Sequence, residues 1–345
     1  NIGRKRNMRK AVILSVLCIL AVCMAGCREN DIDNRKRTDA SKDKTLPIYE
    51  ENDKEIEKES DLAELKDVYK SEVVCEEWIS PDIESPGGVL CGETGVIVTD
   101  REKNCIVKTD DSGNVIKKAG GTGSGEGKFL NPGAVAGYKD EIFVIDEGNQ
   151  RIQVFDWELN YVREIRLKSK KEVDLDFRPG YLAVSREGVY VSGNSLRKTV
   201  IDRYGEGEPE EVGDNFIGSV VSYKDKIYAI NYMVRYYSEE YDSFGAATNG
   251  PAWLLEVNKE KLCKFVKLPH GFNIKGFVME ESRIVCISGS AEAVFVLSPD
   301  GEYEETFAYI QGLVDEEFPQ ISGSGRGEYY IVLPDAGRIF RCRTS

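Results

Sequence analysis

The chain is 345 residues long, 41% apolar, with a formal net charge of −14. That composition can bury a core. The acidity argues against a nucleic-acid partner, and the single histidine, His270, excludes any site that needs two imidazoles. Thirty-three glycines and seventeen tyrosines beside four methionines favour strands and turns over helices.

The first element is a leader. Arg4, Lys5, Arg6, Arg9 and Lys10 precede an uncharged apolar stretch at residues 11–26, and no acid occurs before Glu29. Sixteen residues fall short of the ~20 that span a bilayer as a helix, so a secretory signal is the expectation. It ends in Met24-Ala25-Gly26-Cys27. This resembles the lipobox of bacterial lipoproteins, with Met24 where Leu is commoner. The resemblance implies that Cys27 is lipidated and becomes the mature N-terminus. The chain would then sit on the extracytoplasmic side of a bacterial cell membrane. The leader holds five cations and no acids, so its removal leaves a body more acidic still. Anionic lipid would repel such a body, and the acyl chains must supply the attachment.

Residues 27–60 come next, sparse in apolar side chains and mixed in charge. Nothing there offsets the entropy of ordering a backbone, so a disordered tether with a reach of ~30 Å is expected. A short amphipathic helix can follow, capped by Ser60, with Leu62, Leu65 and Val68 or Tyr69 on one face. The folded domain is assigned to residues 61–345.

That domain repeats. Apolar runs recur at Val96-Ile97-Val98, Ile142-Phe143-Val144-Ile145, Val189-Tyr190-Val191, Ile227-Tyr228-Ala229-Ile230, Ile284-Val285-Cys286-Ile287 and Tyr330-Ile331-Val332-Leu333. Their mean spacing is about 47 residues, a period of propeller blades with four strands each. A strand apolar on both faces fits an inner position, sandwiched between neighbouring blades. One unit is sharper than the rest: Gly125, Gly127, Phe129, Pro132, a strand ending in Asp146, then Asn149, Arg151 and a second strand to Phe155. This unit resembles the NHL repeat. The resemblance, with the six runs, implies an all-β fold: a six-bladed β-propeller preceded by a lipoprotein signal peptide and a tether. A β-sandwich is the competing fold.

Closing such a ring poses a problem, because the strand at residues 338–343 leaves the last blade without an outer partner. Residues 71–79 are β-rich and precede the first blade. We expect them to pair with the C-terminal strand and close the ring, which would bring Cys75 close to Cys342. The mature chain carries six cysteines besides Cys27, with no CxxC spacing. Buried free thiols are the favoured reading for these six, and a disulfide the second.

Several motifs look functional and are read as structural. Asp146, Asn149 and Arg151 should bond one another at a tight turn. The run from Asp110 to Asn114 lacks the spacing of a calcium loop. The glycine-rich residues 120–127 lack the Lys-Ser/Thr and the helix of a phosphate cradle. His270 lies in a turn with no nucleophile signature nearby. No catalytic residue, metal ligand or cofactor is assigned.

The departure from the repeat is at residues 231–244, where Tyr232, Tyr236, Tyr237, Tyr241 and Phe244 surround Arg235, with Trp253 soon after. Tyr, Trp and Arg dominate binding hot spots. Arg235, Tyr236, Tyr237, Tyr241 and Trp253 are therefore the candidate binding residues, for a protein, peptide or glycan. The function expected is a non-catalytic binding or scaffold lipoprotein. The alternative is a calcium-dependent lactonase of the gluconolactonase type, for which Asn231 and Glu84 are the available channel ligands.

Overall fold

A computed structural model describes residues 75–78, 80, 82–167, 177–194, 199–205, 209–214, 216–238, 243–247, 253–258, 262–268 and 272–343; at 199, 200, 214, 217, 232–238, 243–247, 264 and 307 it describes the backbone alone. The leader, Cys27, the tether, the helix expected near Leu62 and Leu65, Tyr241 and His270 lie outside the described residues.

The described chain is an all-β, six-bladed propeller, and its six sheets follow one another along the sequence. Blade one comprises Pro86–Gly92, Gly95–Asp100, Cys105–Thr109 and Val115–Gly120. Blade two comprises Pro132–Tyr138, Glu141–Asp146, Arg151–Asp156 and Tyr161–Arg166. Blade three comprises Arg178–Ser185, Gly188–Asn194, Thr199–Tyr204 and Glu210–Asp214. Blade four comprises Phe216–Tyr223, Lys226–Ser238, Trp253–Val257 and Leu262–Lys267, with Ser243–Ala247 added to its second strand. Blade five comprises Ile274–Met279, Ile284–Ser288, Ala293–Leu297 and Tyr303–Tyr309. Blade six takes Gln320–Gly323, Glu328–Leu333 and Arg338–Arg343 from the end of the chain and Cys75–Glu77 from before blade one.

Each apolar run found in the sequence is the second strand of its blade. Gly95–Asp100 and Ile284–Ser288 are buried along their whole length, because neighbouring blades cover both faces. The innermost position belongs to the first strand, which the sequence reading did not separate from the second. The turn between them needs glycine in two blades. Gly95 and Gly188 sit at φ 131° and 143°, and a Cβ there would lie 2.1 Å from the Thr109 carbonyl oxygen and 2.6 Å from that of Tyr204.

The core is divided among the seams between blades. Phe143 and Ile145 of blade two pack with Leu182 and Val191 of blade three. Equivalent clusters fill the other five seams, ending with Tyr330 and Val332 of blade six against Val89, Val96 and Val98 of blade one. Each fully buried aliphatic side chain in such a seam contributes roughly 1.5–3 kcal/mol.

Ring closure follows the sequence expectation at Cys75–Glu77, the described strand within residues 71–79. Cys75 pairs with Cys342, Glu76 with Arg341 and Glu77 with Phe340. Cys75 and Cys342 form a disulfide, so for this pair the second reading of the cysteines holds; Cys91, Cys105, Cys263 and Cys286 are free thiols. Trp78 follows the closing strand, donates its backbone N–H to the Ile339 carbonyl at 2.8 Å, and sets its ring edge-on to Tyr330 at 5.3 Å. Among the described residues no helix is long and apolar enough to cross a membrane.

Candidate functional site at the channel mouth

The six first strands surround a central cavity of about 220 Å³. Val89, Ala136, Leu182, Val220, Phe277 and Ile321 represent the six blades in its wall. Among the described residues no Asp, Glu, Lys or Arg lines it. Within its sheet each first strand pairs with the second strand of its blade alone, so its other edge faces this space, where side chains of other blades meet part of it, as Ser322 accepts from the Cys91 N–H at 2.9 Å.

First strands begin and second strands end on one face of the disc, here the upper face. The repeat therefore delivers two kinds of residue to the upper mouth of the channel. Arg101, Glu147, Asn194 and Asp335 come from the ends of second strands or just beyond them. Asn131, Arg178, Glu317 and Phe318 come from the starts of first strands or just before them. Arg101 donates from Nε to Asn131 Oδ1 at 2.8 Å, and Asn131 donates in turn to Glu147 Oε2 at 2.7 Å. Arg178 stands 3.7 Å from Glu147 and pairs with Glu317. Burial pushes the Glu147 carboxyl above its ordinary value; Arg101 and Arg178 oppose the shift, and Glu317 adds to it.

Residues just outside this ring are occupied structurally. Asp146 is fully buried and accepts from the Leu130 backbone N–H at 2.8 Å, from Asn149 Nδ2, from Arg151 Nε at 2.8 Å and from Gln153. Arg151 spends its remaining donors on Glu164 and on the Gly125 and Lys128 carbonyls. The turn reading of Asp146, Asn149 and Arg151 holds. Asp100 plays the same part in blade one, accepting from the backbone N–H groups of Glu84, Ser85, Glu102 and Lys103. Asp110 accepts from the Ser112 and Asn114 N–H groups as an ordinary turn. Gly120 ends the last strand of blade one, and residues 121–127 lie between it and the first strand of blade two, as expected of an inter-blade loop.

The aromatic departure is a strand extension. Lys226–Ser238 pairs along its first part with Trp253–Val257, then runs on to pair with Ser243–Ala247, Val234 opposite Ala247 and Ser238 opposite Ser243. Arg235, Tyr236 and Tyr237 fall on this extension, whose side chains lie outside the description, as does Tyr241 entirely. The extension leaves blade four at the end of its second strand, hence on the upper face. Trp253 is half-buried and packs on the seam between blades three and four. The structure thus ties one of the five candidates to the core.

Neither channel ligand named for the lactonase alternative reaches the cavity. Glu84 is exposed and lies 3.7 Å from Lys103, and Asn231 is buried within the second strand of blade four. Among the described residues no three His, Cys, Asp or Glu side chains are grouped to hold a metal. Sequence reasoning missed the mouth residues. Their available signal was positional: Pro86-Gly87, Pro132-Gly133 and Pro179-Gly180 mark three first-strand starts.

No family model and no curated protein matches the sequence. Solved structures match the fold. A catalytically inactive virginiamycin B lyase from Staphylococcus aureus with quinupristin superposes with a TM-score of 0.51 at 13% identity, over 79% of this chain and 100% of its own. A gluconolactonase from Xanthomonas campestris gives 0.53 at 11%, over 78% and 89%. A protein of unknown function from Bacteroides thetaiotaomicron gives 0.50 at 13%, over 79% and 72%. At these identities the likeness is one of fold, and the chain is a six-bladed β-propeller similar in architecture to enzymes and to proteins without assigned activity alike.

Proposed function

We propose that the chain is an extracytoplasmic binding lipoprotein, anchored through Cys27, that presents its upper face to a protein, peptide or glycan. One observation carries this reading: the second strand of blade four runs on into a hairpin on the face that also holds the charged channel mouth. Packing within the blade does not require that extension, and its sequence is rich in Tyr with Arg235 among them. The Cys75–Cys342 bond supports an oxidising compartment, where such bonds persist. The acidic body and the basic, apolar leader ending in Cys27 support attachment through lipid.

The test is a triple change of Arg235, Tyr237 and Tyr241 to Ala, compared with wild type in capture of a cell-surface partner by cross-linking. Loss of capture by a folded triple variant supports the reading; full capture removes the hairpin from the binding surface.

A further inference from the structure

The loop that enters blade six does more than connect it to blade five. Residues 310–319 run from the last strand of blade five to Gln320–Gly323, and their end crosses the channel mouth to blade three, on the opposite side of the ring. Glu317 is the first contact. Asn194 donates from Nδ2 to Glu317 Oε1 at 2.6 Å, and the Arg178 guanidinium pairs with Oε2. Phe318 follows. Its ring stands edge-on to Tyr181 at 5.6 Å, beneath the Arg178 guanidinium at 5.6 Å. Gly180 makes room for it: a Cβ at that position would lie 2.2 Å from the ring. Gln320 completes the crossing by donating to the Gly180 carbonyl at 3.1 Å.

The two ends of this segment are held differently. At its base, Lys275 is buried and donates to the carbonyls of Leu313, Val314 and Glu316. Buried Glu316 accepts from the backbone N–H groups of Asp335 and Ala336 at 2.9 Å each. At its tip, Arg178 is 43% exposed and Glu317 35% exposed. An ion pair so wetted contributes little, so a competitor can displace the tip while the base stays in place.

We propose that blade three carries a recognition pocket for a peptide with an acidic residue followed by an aromatic one, and that Glu317 and Phe318 occupy it in cis as a plug. This rests on the reading of the upper face as a binding face and names a ligand class for it. The chemistry is specific in three respects. Arg178 and Asn194 together present a fork of donors to one carboxylate. The Gly180 notch, walled by Tyr181 and roofed by a guanidinium, takes one aromatic ring. The two subsites are filled here by consecutive residues of one chain, at a bend, which is the spacing of a peptide and not of a sugar. Displacing the plug would also open the upper end of the 220 Å³ cavity, whose wall includes Tyr181, Pro319 and Gln320.

A plug in cis acts as a competitor at high effective concentration, so the wild-type protein should bind such a peptide weakly. The probe is a fluorescein-labelled hexapeptide with the sequence of residues 315–320, Asp-Glu-Glu-Phe-Pro-Gln, titrated by anisotropy against the full-length chain. The Glu317→Ala/Phe318→Ala double variant should bind it at least tenfold more tightly than wild type, and adding Arg178→Ala should abolish the gain. Glu317→Gln, which keeps the size of the side chain, should give a smaller gain of the same sign and serves if the double variant does not fold. A folded variant that binds no more tightly than wild type overturns the proposal, as does a gain that survives Arg178→Ala. Capture by the hairpin is read separately, in the triple variant of Arg235, Tyr237 and Tyr241, so failure of either reading shows in its own assay.

Discussion

Cys75 and Cys342 face each other across the closing ladder with Cα atoms 4.4 Å apart, although 267 residues separate them in the chain. The bond therefore encloses nearly the whole propeller in one covalent loop. In the chain-entropy picture a loop of this length stabilises the fold by about 5.6 kcal/mol. Cys342→Ser should lower the melting midpoint strongly, and a reductant should do the same to wild type while leaving the variant unchanged. Equal midpoints for wild type with and without reductant would show that the ladder and Trp78 suffice.

The buried pair of blade two makes a second expectation. Removing the Arg151 side chain leaves Asp146 fully buried without its cation, which costs about 3–5 kcal/mol. Arg151→Met should be that destabilising by denaturant titration. Changing Asp146 to Leu as well should recover part of the loss, since an apolar pair leaves no stranded charge.

Glu328 makes stability depend on pH. Burial pushes its carboxyl up, and the hydrogen bonds and charges of Arg341 and Arg343 outweigh that, so it lies below its ordinary value of 4.5. A lowered carboxyl stabilises the fold above pH 4.5, and the contribution is lost as pH falls through the folded-state value. Glu328→Gln should thus be less stable than wild type at neutral pH, with the gap closing on acidification. A gap independent of pH would assign Glu328 a packing role only.

Gly180→Ala should drive Phe318 out of its notch, at a cost of about 1–3 kcal/mol from overpacking. Phe318→Ala in the same chain should relieve the strain. Additive losses in the double variant would mean the two residues do not share that space.

Anchoring is tested at Cys27. Cys27→Ser should release the protein from the membrane fraction and leave it without acyl mass by mass spectrometry; unchanged retention and mass would exclude lipidation there.

The architecture was legible because burial on both faces writes the second strands as unbroken apolar runs, visible at Val96 and Ile284 without any partner in view. The closing strand was legible for a related reason. A last blade one strand short needs an edge, and the segment around Cys75 was the spare one. The channel mouth was not legible, since Arg178 and Glu317 are 139 residues apart and meet only because blades three and six face each other across a closed ring. Nothing local to Glu317-Phe318 marks a segment that crosses a channel. The fourth-blade extension announced itself by its aromatic content, but Trp253, grouped with it by sequence, belongs to a seam.

The closing strand also fixes the path of mechanical load. Tension on the chain before residue 75 arrives at the outer strand of blade six, where the three described ladder residues by themselves would peel apart one after another. The sulfur bridge at the first of those residues diverts the force into Arg338–Arg343 before the ladder or the Trp78 seam is strained. A body held in this way can be pulled by its leading end without unzipping from it.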